Sequence, residues 1–304
     1  MKRLSSDSFR RARAFVLDHA RPLERALFAH EFEGGSAEAV WHALQVFANA
    51  DGGFGHALEP DCRAPDSSTL ATITAFPLLR RTGAPADHPL VVGGVRYLVD
   101  SCERAWPGWR ALPPSANDHP RAFWWNHDPA APRTDEQWSN PSAAVVACLH
   151  HYPAEVPPDL LQAVTEKAFA VLDAQADTLS GHDFLTFVEL AESLPAPLNT
   201  RVWSRLKTRA RTAILTDPAQ WTGYGVRPLW AVTHPQSPLM DGLDDAVLAH
   251  LDYEIDQQQP DGSWHPFWSW GRFETDWATA RREWQGQLTV KTLTALKAFG
   301  RLDA

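Results

Sequence analysis

Gln257-Gln258-Gln259-Pro260-Asp261-Gly262-Ser263-Trp264 closes a helical pattern and opens a turn. The run before it, 242–257, is amphipathic and carries Leu251 and Tyr253, and Asp-Gly is a strong turn signal. A second copy, Asn49-Ala50-Asp51-Gly52-Gly53-Phe54, follows the amphipathic run 37–49, where Val40, Trp41, Leu44 and Phe47 form one stripe. The same punctuation at the end of two such helices, more than 200 positions apart, marks a repeat-built chain.

Amphipathic patterns recur at 89–102, 159–174 and 200–215, with an earlier one near 8–18. Between them lie more apolar runs rich in small residues, at 68–80, 141–151, 183–193, 225–233 and 287–299. The two kinds alternate, and no run of alternating β-branched residues bounded by hairpin turns interrupts them. Helices wet on one side belong outside and helices apolar all round belong inside. The expected fold is therefore all-α, an (α/α) toroid or barrel of about five to six helix pairs. It has an apolar inner ring, an amphipathic outer ring and a single domain over 1–304. Three further motifs, Trp138-Ser139-Asn140, Trp221-Thr222-Gly223 and Trp284-Gln285-Gly286, are each expected to open an inner helix. The longest irregular stretch is 106–137, and its Trp124-Trp125 pair argues for a built loop.

The Gln257–Trp264 segment resembles the QW repeat of squalene–hopene cyclases, and Asn49–Phe54 resembles a weaker copy. The resemblance extends to the α/α-toroid superfamily of terpene cyclases and protein prenyltransferase β-subunits. It implies the toroid and, by analogy, terpene-cyclase-like chemistry on an isoprenoid. The chain departs from the family's motifs. It lacks the D-x-D-D acid of class II cyclases and the D-D-x-x-D magnesium motif of class I. The nearest approach, Asp241-Gly242-Leu243-Asp244-Asp245, opens an outer helix, where acids cap the backbone. Asp61-Cys62 and Cys148-Leu149-His150-His151 hold the residue types of the prenyltransferase zinc site without its spacing.

A formal charge of −9 gives no electrostatic reason to bind nucleic acid. Three scattered cysteines suit a reducing compartment, the N-terminus lacks an apolar leader, and no apolar run reaches the ~20 residues of a membrane span. The expected location is cytoplasmic, with no cofactor, no metal and a small, largely apolar molecule as partner. The unusual count is 14 Trp against 4 Tyr. Many of these Trp adjoin Gly, Asn, Asp or Pro, which suggests a pocket walled with indoles.

Loops leading into the inner helices are expected to face one pocket. The candidate acids and bases are His56, Glu59, Asp61 and Asp66, with Asp61 or Glu59 as the functional acid. The candidate substrate-binding residues are Trp124, Trp125, His127, Asp128, Trp138, Asn140, Trp221, Tyr224, Trp268, Trp270, Glu283 and Trp284. Indole faces stabilise cationic intermediates, and a buried carboxyl keeps a proton to donate. The same residue types also suit a glycosidase or lyase, where Trp stacks on sugar rings and paired carboxylates do acid–base work. A third reading is a toroid that binds a ligand or a protein without catalysis.

Overall fold

The computed structural model describes residues 1–128, 130–131, 134–175, 177–179 and 181–303. Among them are twelve α-helices, five short 3-10 turns and no β-strand, only isolated bridges. The described helices divide into two compact units, one formed by 1–43 and 210–304 and the other by 44–209. No described helix is long and apolar enough to cross a membrane.

The second unit holds α4 (Thr69–Arg81), α5 (Pro89–Asp100), α6 (Ser139–His151), α7 (Pro158–Ala174) and α8 (Gly181–Ser193). α6 packs against α4, α7 and α8, and every residue from Pro141 to Leu149 is buried. Ala143, Ala144 and Ala147 leave its neighbours room to approach. α5 buries a single stripe, Val91, Val95 and Leu98, at helical spacing, and α7 does the same with Leu160, Val164, Ala168 and Val171. The alternation of wet and dry helices expected from the sequence is thus realised here.

The first unit holds α1 (Ser6–His19), α2 (Pro22–Phe32), α10 (Pro228–Ala231), α11 (Asp244–Asp256) and α12 (Glu274–Ala298). α1, α2 and α12 pack on one another, and α10 packs on α11. The remaining helices, α3 (Ala37–Gln45) and α9 (Leu198–Ala213), run through the positions where the chain passes between units. Three expectations are corrected in the first unit. A separate α2 follows α1, started by Pro22 at its first turn. The apolar run 225–233 forms one turn of helix rather than a full inner helix. Trp284-Gln285-Gly286 does not open a helix, because α12 starts ten residues before Trp284.

The two copies of the QW-like segment are built alike. In each, an Asp carboxylate accepts the backbone N–H two residues on, Asp51 from Gly53 and Asp261 from Ser263, both at 3.0 Å. In each, the closing aromatic donates its backbone N–H to a threonine hydroxyl on the next α-helix. Phe54 reaches Thr72 of α4 at 3.0 Å, and Trp264 reaches Thr289 of α12 at 3.1 Å. The central glycines sit at φ +87° (Gly52) and +90° (Gly262). A Cβ on Gly52 would meet Gly93 of α5 at 2.5 Å, and one on Gly262 would meet Arg11 of α1 at 2.3 Å. The motif is therefore a flat turn laid on a helix backbone, and it requires glycine twice over.

Candidate functional site

The first unit contains a cavity of about 290 Å³. One wall is α11, which presents His250, Tyr253 and Glu254, spaced for one helix face. The QW-like turn adds Gln257, Gln259 and Trp264, and the segment after it adds His265, Phe267 and Trp268. α12 contributes Leu288, Lys291 and Thr292, and the stretch around α10 contributes Thr222, Arg227 and Trp230. The Trp264 indole N–H donates to the Glu254 carbonyl at 2.8 Å, so the repeat turn fixes the end of α11 that carries the acid.

Glu254 is the one carboxylate among the lining residues. Its side chain is 13% exposed, and burial pushes its pKa up from 4.5 to about 7 against the opposing pull of Arg227 and Lys291. His250 is fully buried between Trp221, edge-on at 4.6 Å, and Tyr253, stacked at 5.7 Å. Burial, reinforced by Arg227, lowers its pKa to about 3, so it is neutral at physiological pH. Its Nε2 comes within 3.2 Å of Glu254 Oε1 without hydrogen-bond geometry, and with the imidazole neutral the contact is not an ion pair. The Arg227 guanidinium lies 4.3 Å from the Phe267 ring centre and 5.8 Å from that of Trp230. Lys291 Nζ is 5.6 Å from the Trp230 ring.

Sequence reasoning placed Trp268 among the substrate-binding residues, and it lines this cavity, with Trp284 edge-on to it at 5.0 Å. It missed Glu254, Arg227 and His250. The available signal was the His250–Glu254 spacing of four beside Tyr253, which sets all three on one side of α11. Other expected residues in this unit lie elsewhere. Trp221 is fully buried, with its indole N–H on the Leu215 carbonyl at 2.7 Å. Trp270 is 1% exposed against Trp277, Glu283 is half-buried, and Tyr224 is 74% exposed.

In the second unit the acid loop is well ordered by its backbone. Arg63 N–H donates to Pro120, and Ala122 N–H donates to Asp61, both at 2.9 Å. The second bond joins Asp61 to the residue that precedes the aromatic turn Phe123–Trp125. Asp61 is 3% exposed and Glu59 half-buried. His56 is exposed at φ +52°, 2.9 Å from Asn49 Oδ1, and Asp66 is exposed. Ser68, not Asp66, caps α4. Trp125 packs on Cys62, Ala64 and Leu70, while Trp124 is 40% exposed. His127 and Asp128 do not form a base with its orienter: His127 Nδ1 sits 3.1 Å from the Leu112 carbonyl, and Asp128 accepts from Ala130 N–H. Trp138 is fully buried, and its N–H bonds the Pro107 carbonyl at 2.6 Å. Trp138 and Trp221 therefore support the core and present no open ring face. Asn140 marks a non-helical kink in α6, and its backbone bonds Asp183, whose pKa burial raises to about 6.

No family model matches this chain, and no curated protein matches it in sequence. Solved structures do match it. A protein from Actinoplanes is 16% identical with a TM-score of 0.55, over 95% of this chain and 99% of that one. The type II terpene cyclase MstE from Scytonema, in complex with merosterolic acid A, is 13% identical with a TM-score of 0.54, over 96% and 97%. A form of the same cyclase holding its substrate, geranylgeranyl dihydroxybenzoate, is 14% identical with a TM-score of 0.51, over 95% and 97%. Together with the all-helical architecture, these likenesses show that the chain has a terpene-cyclase-like α/α-toroid fold.

Proposed function

We propose that this chain is a terpene-cyclase-like enzyme that uses acid chemistry on a largely apolar, isoprenoid-type substrate. Its pocket is the cavity of the first unit, and Glu254 is the proton donor. The observation that carries the reading is a single carboxyl, pushed up to about 7, in an aromatic-walled cavity. A group with that pKa holds a proton near neutrality and can still release it. Transfer to a terminal alkene carbon breaks the Glu254 O–H bond and leaves a carbocation on the substrate. The guanidinium over Phe267 already illustrates the attraction of these rings for cations. Each aromatic face would stabilise the carbocation by about 0.5–2 kcal/mol. Arg227 and Lys291 stabilise the carboxylate that remains, and a final deprotonation of the product restores the acid. The glycosidase reading is less well supported, since that chemistry uses two facing carboxylates and the cavity lining offers one.

Asp61 and Glu59 are the second candidate source of the proton, favoured by the burial of Asp61 beside the aromatic turn. The test is incubation with linear isoprenoids such as squalene and geranylgeraniol, with products resolved by mass spectrometry. The wild type is expected to form cyclic isomers, and Glu254→Gln to bind but not convert them. Full turnover by Glu254→Gln together with its loss in Asp61→Asn would move the acid to the 56–66 loop. The absence of product from every linear isoprenoid would overturn the reading.

A further inference from the structure

α9 concentrates positive charge. Its 16 residues include Arg201, Arg205, Lys207, Arg209 and Arg211 and not one acid, in a chain of net charge −9. Within the second unit, at 198–209, Val202 and Leu206 are buried, and the other side of the helix shows Arg201, Ser204, Arg205, Lys207 and Thr208 to solvent. Arg201 and Arg205 pair with the same carboxylate, Asp173 of α7, the second at 3.3 Å, so two guanidiniums share one counter-ion. An apolar tip adjoins this side. Pro195, Ala196, Pro197 and Leu198 are exposed in one run, and Leu198 is 36% exposed. Leu198 opens α9 three and seven residues before Arg201 and Arg205, a spacing that sets it on the same side as both guanidiniums. The exposed positions of this side hold no aromatic residue, so it offers neither the packed anchor of a protein interface nor a platform for base stacking.

We propose that this side of α9, with the 195–198 tip, docks on an anionic phospholipid surface. The inference goes beyond the pocket assigned above and does not depend on it. Head-group phosphates meet Arg201, Arg205 and Lys207, and the Ser204 and Thr208 hydroxyls donate between them. Leu198 and the two prolines enter the boundary between head groups and acyl chains. A plane of phosphates asks for spread cations and a shallow apolar insert, and α9 carries both on one side. The net negative charge of the chain is repelled by the same plane, which turns α9 toward it.

The test is flotation of the full chain with phosphatidylcholine vesicles, with and without phosphatidylglycerol, and titration with double-stranded DNA and polyglutamate as soluble polyanions. The wild type is expected on the anionic vesicles alone, with binding that weakens as salt rises. Each basic side chain near such a surface strengthens binding about fivefold, so a variant combining Arg205→Gln and Lys207→Gln should bind about thirtyfold more weakly. Both positions are exposed, and circular dichroism checks that the variant is folded. Leu198→Ser should weaken vesicle binding about fivefold, because only a bilayer takes up the apolar tip. Absence of the wild type from anionic vesicles would overturn the proposal without any variant. Undiminished vesicle binding by the folded double variant would overturn it as well, by moving the contact away from α9. Binding to DNA or polyglutamate as tight as to vesicles, with Leu198→Ser without effect on either, would make α9 a contact for soluble polyanions and remove the lipid surface.

Discussion

Replacing Gly262 by alanine tests whether the QW-like turn is held by close approach to a helix backbone. At φ +90° a Cβ costs about 1–2 kcal/mol through its clash with the adjoining carbonyl. The Cβ would also lie 2.3 Å from the Arg11 carbonyl carbon, 2.5 Å from its oxygen and 2.6 Å from Ala12 N. These are backbone atoms within α1 and cannot rotate away, so the turn must lift, at about 1–3 kcal/mol. Alanine restricts the unfolded chain and returns about 0.4–1 kcal/mol. The net expectation is a loss of about 1–4 kcal/mol. Gly300 is the control, because it has φ +63° but nothing within 4 Å of its Cβ. Gly300→Ala then carries only the conformational part, about 0–1.5 kcal/mol. Urea denaturation followed by helical circular dichroism should place the Gly262→Ala midpoint clearly below that of Gly300→Ala. Equal midpoints would refute the reasoning, since the turn would then not need its contact with α1.

Glu254 makes a second expectation about stability. Its folded pKa lies above its unfolded one, so the native state binds the extra proton between 4.5 and about 7. Stability from this group is complete below pH 4.5 and is lost as pH rises through about 7, a difference of about 3 kcal/mol. Glu254→Gln should therefore gain stability relative to wild type on going from pH 5 to pH 8, measured by urea midpoints at each pH. Trp138→Phe should cost about 1–3 kcal/mol in the same assay, because it removes the indole N–H that the half-buried Pro107 carbonyl accepts.

The turns and helix types were legible in the sequence because they depend on local chemistry. Asp-Gly before an aromatic predicts the turn at 51–54 and at 261–264, and both form. The stripes on α5 and α7 were likewise readable from spacing alone. The start of α12 was not, because 274–286 carries Glu274, Arg281, Arg282 and Glu283 and shows no apolar period. The cavity acid was hidden for a different reason. Glu254 follows Tyr253 on an amphipathic helix and reads as a wet residue. It becomes buried only when Arg227, Trp230 and the segment 265–268 fold over α11, which is tertiary information. Indole-rich loops were a mixed guide. Trp268 reached the cavity, whereas Trp138 and Trp221 spent their N–H donors on backbone carbonyls inside the core.

The protonation of Glu254 carries the account of the site, and infrared difference spectroscopy of wild type against Glu254→Gln measures it directly. The account predicts a protonated carboxyl C=O band, absent from the variant, that disappears with a midpoint near pH 7. A carboxylate already ionised at pH 6, titrating near the ordinary 4.5, would contradict it.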